Sequence, residues 1–214
     1  MSNPLRITEI FHSIQGESST VGWPTVFIRL TGCPLRCGYC DTTYAFQGGH
    51  WMEQEAILDK VASFRPRYIT VTGGEPLAQK NVHSLMASLC DQGYQVSLET
   101  SGALDIKEVD ARVMQVMDLK TPASGEVNRN LFANIEWLKK SDQIKFVICN
   151  REDYDWAKNQ VTEKQLDQVC EILFSPVAKD VAPRTLAEWI LQDGLPVRFQ
   201  LQLHKVLWGD VPGK

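Results

Sequence analysis

Apolar and polar positions along this chain follow two different periods. Short runs rich in β-branched residues, such as TVFIRL at Thr25–Leu30, are typical of buried strands. Longer stretches repeat their apolar residues every three or four positions, and this spacing predicts helices with one buried face. The strand pattern occurs at Thr25–Leu30, Tyr68–Thr72, Gln95–Glu99, Val113–Leu119, Gln143–Cys149, Glu171–Phe174 and Val197–Leu203. The helical pattern occurs at Glu53–Phe64, Asn81–Asp91, Asn128–Lys140, Tyr154–Val169 and Thr185–Leu191.

The order of these elements predicts the fold class. Strands that alternate with helical stretches form βαβ units, which build a parallel sheet with right-handed crossovers. The chain has 214 residues, whereas a complete eightfold barrel typically takes about 250. We therefore expect a single α/β domain, an incomplete TIM-like barrel of about seven mostly parallel strands. Residues 1–23 are expected to cover the sheet, residues 24–205 to form the barrel core and residues 206–214 to be a C-terminal tail.

Polar and glycine-containing segments come directly after several predicted strands. In parallel α/β architectures the active site lies at the carboxyl ends of the strands, so segments far apart in sequence meet there. This arrangement indicates an enzyme. The segments are 33–40, 73–76, 99–102, 118–121, 175–176 and 202–205.

Composition narrows the class of protein. Apolar residues make up 43% and charged residues 22% of the chain, which excludes a disordered or fibrous protein. The net charge of −4 argues against a protein that coats nucleic acid, which usually presents a basic face. No apolar run is long enough for a transmembrane helix, and the first residues lack a signal-peptide pattern. We therefore expect a cytoplasmic protein with reduced thiols.

Three of the six cysteines form a cluster, Cys33, Cys37 and Cys40. The other three, at 90, 149 and 170, have apolar neighbours and are expected to be small buried residues. Three thiolates in a loop with Gly and Pro favour a soft metal centre. Two interpretations remain open from the spacing. One is a structural zinc site with His50 as the fourth ligand. The other is an iron–sulfur cluster with one iron left open.

The motifs Cys33-x3-Cys37-x2-Cys40 and Gly73-Gly74-Glu75-Pro76 resemble those of the radical S-adenosylmethionine superfamily, including Tyr39 before the third cysteine. The resemblance implies that the cysteines bind a [4Fe–4S] cluster whose open iron holds the amino and carboxylate groups of S-adenosylmethionine. It also implies that the reduced cluster cleaves this cofactor to a 5′-deoxyadenosyl radical, which abstracts a hydrogen atom from the substrate.

A narrower resemblance, to the family of 7-carboxy-7-deazaguanine synthases, covers nearly the whole chain. It implies conversion of 6-carboxy-5,6,7,8-tetrahydropterin to 7-carboxy-7-deazaguanine with release of ammonia, on the route to queuosine and related 7-deazapurines. In that family S-adenosylmethionine is regenerated in each turnover, and Mg2+ is used. The matching segments are 13–17 (SIQGE), 27–29 (FIR), 32–34 (GCP), 40–42 (CDT), 73–76 (GGEP), 99–102 (ETSG) and 202–205 (QLHK).

The resemblance also implies roles for individual residues. The cluster ligands would be Cys33, Cys37 and Cys40, and the Mg2+ ligand would be Thr42. Contacts with the cofactor would come from Tyr39, Asp41, Gly73, Gly74, Glu75, Gly102, Asp118, Lys120 and Lys145. Contacts with the substrate would come from Ile14, Gln15, Gly16, Arg29, Thr100, His204 and Lys205. No catalytic side chain is implied beyond the cluster and the cofactor.

The residues themselves leave alternatives open at some of these positions. Arg29 lies near the end of an otherwise apolar strand and so needs a carboxylate partner, either that of the substrate or an internal Asp or Glu. Lys145 points either into the site or into solvent, and Thr42 alternatively caps its loop. The family segment that often reads Ser-Pro-Lys is Asp-Leu-Lys here, so only Lys120 matches it.

The resemblance implies a small pterin substrate, a reductant such as a flavodoxin or ferredoxin, a homodimer, and no nucleic-acid or membrane partner. One competing function is a glycyl-radical activating enzyme, which would share the cysteine and Gly-Gly-Glu motifs but act on a protein. It is not expected to share the segments at 14–17 and 202–205. A zinc-stabilised α/β binding module is the non-enzymatic alternative, and it would contain neither iron nor sulfide.

Overall fold

A computed structural model of the chain describes residues 3–177, 179–209, 211 and 213. Nine strands are found among these residues, and they form one sheet. The strands are β1 (Leu5–Ile14), β2 (Pro24–Leu30), β3 (His50–Met52), β4 (Tyr68–Gly73), β5 (Gln95–Thr100), β6 (Met114–Asp118), β7 (Gln143–Ile148), β8 (Glu171–Pro176) and β9 (Arg198–Phe199). Their order in the sheet is β3-β1-β2-β4-β5-β6-β7-β8-β9.

The strands from β2 to β9 pair in parallel, each with the next one in this order. Two antiparallel strands, β1 and β3, extend the sheet beyond β2. The prediction of an incomplete barrel of mostly parallel strands is confirmed. The carboxyl ends of the parallel strands lie at one edge, where they can build a common site.

Helices alternate with the strands along the chain, and several of them pack against the sheet. They are α1 (Gln54–Ser63), α2 (Val82–Asp91), α3 (Arg151–Glu163), α4 (Leu166–Val169), α5 (Pro183–Asp193) and α6 (Leu203–Trp208). On α2 the apolar stripe of Val82, Leu85, Met86 and Leu89 is fully buried, as its spacing predicted. Each such side chain contributes about 1.5–3 kcal/mol through burial. No helix in the described ranges is both long enough and apolar enough to cross a bilayer.

The inner face of the sheet is polar where it approaches the site. Gln15 Nε2 donates to Thr70 Oγ1 at 3.0 Å, and Thr70 Oγ1 lies 2.9 Å from Ser97 Oγ. These groups satisfy one another, which removes most of the cost of burying them. They form the layer directly beneath the site.

The N-terminal segment corrects one prediction. Residues 1–23 were expected to cover the sheet, but β1 lies within it and pairs with both β2 and β3. Leu5 and Ile7 are fully buried in alternation, which is the strand signal. The polar residues Glu9 and His12 later in the same strand interrupt the apolar pattern, so the strand was not predicted from the sequence.

The helix predicted at Asn128–Lys140 is also wrong. This segment forms short 3-10 turns at Val127–Arg129 and Phe132–Trp137. Asn130 exchanges hydrogen bonds with the backbone of Lys120, at 2.8 and 2.9 Å, and Asn134 donates to backbone carbonyls upstream. Side-chain amides that bond to backbone in this way compete with a regular helix.

Two further elements, one helix and one strand, have boundaries that differ from the predicted ones. The helix predicted at Tyr154–Val169 begins instead at Arg151, after the N-cap Asn150, and breaks at Gln165, whose φ of 49° is left-handed. The strand predicted at Val197–Leu203 has only two residues. Gln200 turns the chain out of the sheet, since its side chain accepts from Ser18 N at 2.7 Å and donates to Ser18 O at 3.0 Å.

The predicted C-terminal tail is likewise corrected. Its expected start at residue 206 falls inside α6, so the helix joins the predicted core to the predicted tail. Residues 210, 212 and 214 lie outside the described residues.

Candidate active site

A cavity of about 290 Å³ lies at the carboxyl ends of the parallel strands. Its wall comes from β2 and β4 to β7, from the cysteine loop after β2 and from the start of α6. This is the edge at which the strand-following motifs were expected to meet. The predicted site residues that line it are Ile14, Gln15, Gly16, Arg29, Cys33, Cys37, Tyr39, Cys40, Asp41, Thr42, Gly73, Gly74, Thr100, Asp118, Lys120, Lys145, His204 and Lys205.

The three clustered cysteines are partly exposed, and all line this cavity. Burial raises the pKa of the Cys33 thiol, and it raises that of Cys37 to about 11, although the Lys120 ammonium acts in the opposite direction. A metal centre would remove these protons, because thiolates rather than thiols are the ligands. The site therefore offers three converging sulfur donors, with a lysine beside them to balance negative charge.

The zinc interpretation does not fit this geometry. In the described part of the chain, no three His, Cys, Asp or Glu side chains are placed to share a single ion. His50, the fourth ligand of that interpretation, is exposed on the edge strand β3 and does not line the cavity. A [4Fe–4S] cluster places each cysteine on a different iron, and so suits three separated sulfurs.

Gly73 and Gly74 lock the end of β4 against the cysteine loop. Gly74 N donates to Leu30 O at 3.1 Å, and Glu75 N donates to Gly32 O at 2.8 Å. A Cβ on Gly74 would lie 2.2 Å from Gly32 O and 2.9 Å from Cys33 Cβ. Glycine is required here because the two backbones approach so closely.

Two residues of the predicted cofactor set, Glu75 and Gly102, lie behind the cavity wall. The Glu75 carboxylate is fully buried and accepts hydrogen bonds from Leu77 N, Thr100 Oγ1 and the backbone and hydroxyl of Ser101, at 2.5–3.0 Å. It thereby fixes the turn after β5. Gly102 adopts a φ of +70°, and a Cβ at this position would lie 3.0 Å from Met117 Cγ.

The C-terminal helix closes over the loop after β1. Leu203 N donates to Gly16 O at 3.0 Å. A Cβ on Gly16 would lie 2.1 Å from His204 Nδ1 and 2.9 Å from His204 N. Burial lowers the pKa of His204, although the Glu17 carboxylate opposes this, so the ring is neutral near pH 7.

Arg29 has an internal partner, as one of the two sequence alternatives proposed. Its Nε lies 2.7 Å from Glu9 Oε1, and Tyr44 Oη donates to the same oxygen at 2.8 Å. The guanidinium carbon lies 5.7 Å from the ring centre of Phe11 and 5.8 Å from that of Tyr44. The two terminal guanidinium nitrogens form no hydrogen bond with any described residue, so they are available to a ligand carboxylate.

A buried network of charge crosses the cavity. Lys145 Nζ lies 2.5 Å from Glu17 Oε2 and 3.9 Å from Asp118 Oδ2, and Lys120 Nζ lies 3.0 Å from the same oxygen of Asp118. Gln202 Nε2 donates to the other oxygen of Glu17 at 2.6 Å. Lys145 therefore points into the cavity and not into solvent.

Both members of the Lys145–Glu17 pair are ionised. Burial acts to raise the pKa of Glu17, but the Lys145 ammonium and its hydrogen bond outweigh burial and lower it. Burial acts to lower the pKa of Lys145, but the carboxylates of Glu17 and Asp118 raise it above its usual value. Asp118 Oδ1 is buried without a hydrogen-bond partner, which marks it as an acceptor for a ligand donor.

Thr42 and Asp41 form an oxygen-rich corner below α6. Thr42 Oγ1 donates to Asp41 Oδ1 at 2.8 Å, and Lys205 Nζ lies 2.9 Å from Asp41 Oδ2. Burial acts to raise the pKa of Asp41, but Lys205 lowers it to about 2. Thr42 precedes a 3-10 turn and makes no capping hydrogen bond there, so the loop-cap alternative finds no support.

Sequence reasoning assigned no role to several residues that line the cavity. The polar ones are Glu17, Tyr44, Thr72, Glu99, Ser101 and Gln202. Four of them, Glu17, Glu99, Ser101 and Gln202, lie within the segments that matched the family. The alternation of side chains along β5 also places Glu99 on the same face of the sheet as Ser97, a signal that could have identified it. Tyr44 carries no signal of its own, because its contact with Glu9 joins segments that only the fold brings together.

The sequence of this chain matches the model of a known protein superfamily. Residues 27–118 match the model of the Radical SAM superfamily. That segment runs from β2 through β6 and contains both the cysteine loop and the Gly-Gly-Glu turn.

Two relatives match nearly the full length. The chain is 46% identical over 208 residues to a 7-carboxy-7-deazaguanine synthase of Chlorobaculum tepidum, an alignment that covers 96% of this chain and 94% of the relative. It is 41% identical over 219 residues to a 7-carboxy-7-deazaguanine synthase of Koribacter versatilis, covering 95% and 97%. Among solved structures, QueE from Escherichia coli superposes with a TM-score of 0.77 at 22% identity, over 94% of this chain and 95% of that one. That superposition shows a shared fold.

Proposed function

The chain belongs to the family of 7-carboxy-7-deazaguanine synthases, and from this membership we propose that it converts 6-carboxy-5,6,7,8-tetrahydropterin to 7-carboxy-7-deazaguanine and ammonia. The observation that carries the proposal is 46% identity over 96% of the chain to a protein of that name. The reaction contributes to the biosynthesis of queuosine and other 7-deazapurines. The motifs shared with the family converge on one cavity, as a single active site requires.

The cofactors are a [4Fe–4S] cluster and S-adenosylmethionine, as membership of the radical SAM superfamily implies. Cys33, Cys37 and Cys40 would hold the cluster, because their sulfurs converge on the cavity without sharing a single-ion site. When bound, the cluster and S-adenosylmethionine supply a 5′-deoxyadenosyl radical that abstracts hydrogen. Gly73 and Gly74 present backbone groups next to the cluster loop, and Asp118 and Lys120, at the end of β6, offer an acceptor and a cation.

The substrate would lie between the loop after β1 and the inner faces of β2, β5 and β7. Arg29 would bind the pterin carboxylate through the two terminal nitrogens that Glu9 leaves free. The amide of Gln15, the backbone of Ile14 and Gly16, and the hydroxyl of Thr100 border the same space. His204 and Lys205 on α6 cover this space and exclude water from it. A reactive radical requires such shielding, because it would otherwise enter competing reactions.

Mg2+ would bind at the corner formed by Thr42 and Asp41. Hydroxyl and carboxylate oxygens are hard donors, and Mg2+ usually takes few protein ligands, completing its shell with water and substrate oxygens. Two observations support this position: Thr42 Oγ1 is not used as a cap, and it faces the cavity.

Two partners follow from the family resemblance alone. We infer that a one-electron reductant such as a flavodoxin or ferredoxin reduces the cluster, and that the enzyme acts as a homodimer.

The competing function, activation of a glycyl-radical protein, is not favoured. Its substrate would be a protein segment, whereas α6 covers this cavity through Gly16 and Asp41. The relatives that match over the full length are also named for the deazaguanine reaction.

An anaerobic assay tests the proposal. The protein is reconstituted with iron and sulfide, reduced, and supplied with S-adenosylmethionine, Mg2+ and 6-carboxytetrahydropterin, and the products are identified by mass spectrometry. The proposal predicts 7-carboxy-7-deazaguanine, made only when S-adenosylmethionine is present, and none from Cys37→Ala. Release of 5′-deoxyadenosine without the deazaguanine product would keep the superfamily and discard the substrate.

A further inference from the structure

Glu99 occupies a central position on the inner face of the sheet, at the floor of the cavity. The strand register pairs Arg29 of β2 with Thr72 of β4, and Thr72 in turn donates to Glu99 of β5. Lys145 of β7 faces the same space from the other side. Four strands therefore present one polar layer directly below any ligand, with Glu99 in the middle of it.

One oxygen of Glu99 is held and the other is not. Oε2 accepts a hydrogen bond from Thr72 Oγ1 at 3.0 Å. Oε1 forms no hydrogen bond with the described residues, and Glu99 lines the cavity. A carboxyl group fixed at one oxygen and open at the other can present that second oxygen to a ligand in a defined direction.

The other carboxyl groups that line the cavity in the described chain are all neutralised. Glu17 is paired with Lys145, Asp118 with Lys120 and Asp41 with Lys205. Glu99 forms no ion pair with any described residue. Among the described residues of the lining, it is the one carboxyl group that no lysine or arginine holds in its charged form.

The groups around Glu99 favour its acid form. It is faced by Arg29 from β2, Thr72 from β4, Lys145 from β7 and Glu17 from the loop after β1, while its register partner on β6 is the apolar Val116. Burial, and then the negative charge of Glu17, raise the pKa of Glu99, and together they outweigh Lys145, Thr72 and Arg29. Lys145 is committed to Glu17 at 2.5 Å, which explains why it does not ionise Glu99.

The proposed reaction needs such a group. Ring contraction breaks one of the two C–N bonds of the departing nitrogen. Release of ammonia then breaks the second C–N bond with its electron pair on nitrogen, so that nitrogen must receive a proton. A C–H bond of the contracted ring then breaks, and its electron pair completes the aromatic five-membered ring. Proton delivery and proton removal by one positioned carboxyl group contribute typically about 10²–10⁴-fold in rate.

We propose that Glu99 is a catalytic acid–base residue, which gives its proton to the departing nitrogen and takes one back from the ring carbon. The carboxyl group ends each turnover as it began, and the step uses no oxidant or reductant. This inference rests on the proposed function, because the substrate must be the pterin for a nitrogen to leave.

The test compares Glu99→Gln, Glu99→Asp and, as a control, Glu163→Gln, which removes an exposed carboxylate at the end of α3. Each variant is reconstituted, and its iron content, thermal unfolding and affinity for the pterin are measured beside product formation. Gln has the shape of Glu and keeps the acceptor for Thr72, so these three properties should match the wild type. The rate of product formation at saturating substrate should fall by about 10²-fold or more in Glu99→Gln, and by less in Glu99→Asp.

The pH dependence separates an acid–base role from a structural one. Because the acid form must be present, the wild-type rate should fall as the pH rises through the raised pKa of Glu99, and Glu99→Gln should lose this dependence. Glu99→Asp should keep it. A Glu99→Gln enzyme with a normal maximal rate, or one whose only defect is a higher KM, would overturn the proposal. A wild-type enzyme that makes no deazaguanine would instead overturn the proposed function.

Discussion

Lys145 Nζ lies 2.5 Å from Glu17 Oε2, and this contact joins β7 to the loop after β1 across the interior of the barrel. Both side chains are largely buried. Glu17 also accepts a hydrogen bond from Gln202. The pair therefore ties the loop after β1 and the C-terminal segment to the sheet. Four expectations follow from this and neighbouring contacts.

Replacing Lys145 with Met should destabilise the fold by about 3–5 kcal/mol, because it leaves Glu17 buried without its cation. The double variant Glu17→Gln/Lys145→Met should recover part of that loss. Denaturant unfolding monitored by circular dichroism measures both. Arg184→Ala, which removes an exposed pair with Glu188, should cost less than about 1 kcal/mol and serves as the control. Equal losses for Lys145→Met and Arg184→Ala would show that the buried pair does not contribute as argued.

Lys205→Met should raise the pKa of Asp41 towards its ordinary value of 3.8 from about 2, because Lys205 lowers it more than Thr42 and Lys145 do. A carboxyl group with a lowered folded-state pKa stabilises the fold above its unfolded pKa, and the contribution disappears as the pH falls through the folded value. The wild type should therefore lose stability relative to Lys205→Met between about pH 4 and pH 2. Carboxyl titration by NMR and unfolding at several pH values measure this, and an unchanged Asp41 titration would contradict the assignment.

Gly16→Ala should displace α6, since its Cβ would lie 2.1 Å from His204 Nδ1 and 2.9 Å from His204 N. The helix cannot relieve the second contact by rotating a side chain. Hydrogen exchange in α6 should accelerate, and the KM for the pterin should rise. In Gly38→Ala the new Cβ would lie an ordinary 3.6 Å from Ala123 O, so α6 should exchange as in the wild type. Unchanged exchange in Gly16→Ala would mean that α6 does not close on this glycine.

Thr42→Ala should abolish most of the response of the rate to Mg2+ while leaving the iron content of the protein unchanged. Thr42→Ser keeps the hydroxyl and should keep the response. Rates measured across a Mg2+ titration, with iron analysis of each preparation, test this. A full Mg2+ response in Thr42→Ala would place the ion elsewhere.

The sequence predicted the architecture because its strongest signals are local. Runs such as Tyr68–Gly73 are buried on both faces and rich in β-branched residues, and the motifs that follow the strands reach the same edge once the sheet is parallel. Segments whose structure depends on distant partners were not predictable. Gln200 leaves the sheet because its amide meets Ser18, and Asn130 breaks a helical pattern because it meets Lys120.

The candidate site shows the same division. Cysteine spacing and the Gly-Gly-Glu turn identified the cluster loop and its neighbour, since close backbone approach leaves a glycine signature. The role of Glu17 was not visible in sequence, because its partner Lys145 stands 128 residues away. For Arg29, the sequence correctly predicted a carboxylate partner. Glu9 is that partner inside the protein, and it leaves the two terminal guanidinium nitrogens available to a ligand.

The most direct test of the function is the amount of 7-carboxy-7-deazaguanine formed per S-adenosylmethionine consumed, measured for the reconstituted, reduced wild type with 6-carboxytetrahydropterin and Mg2+. An enzyme that regenerates S-adenosylmethionine in each turnover should yield product in large excess over the S-adenosylmethionine consumed. Consumption of S-adenosylmethionine with no deazaguanine product would contradict the assigned reaction.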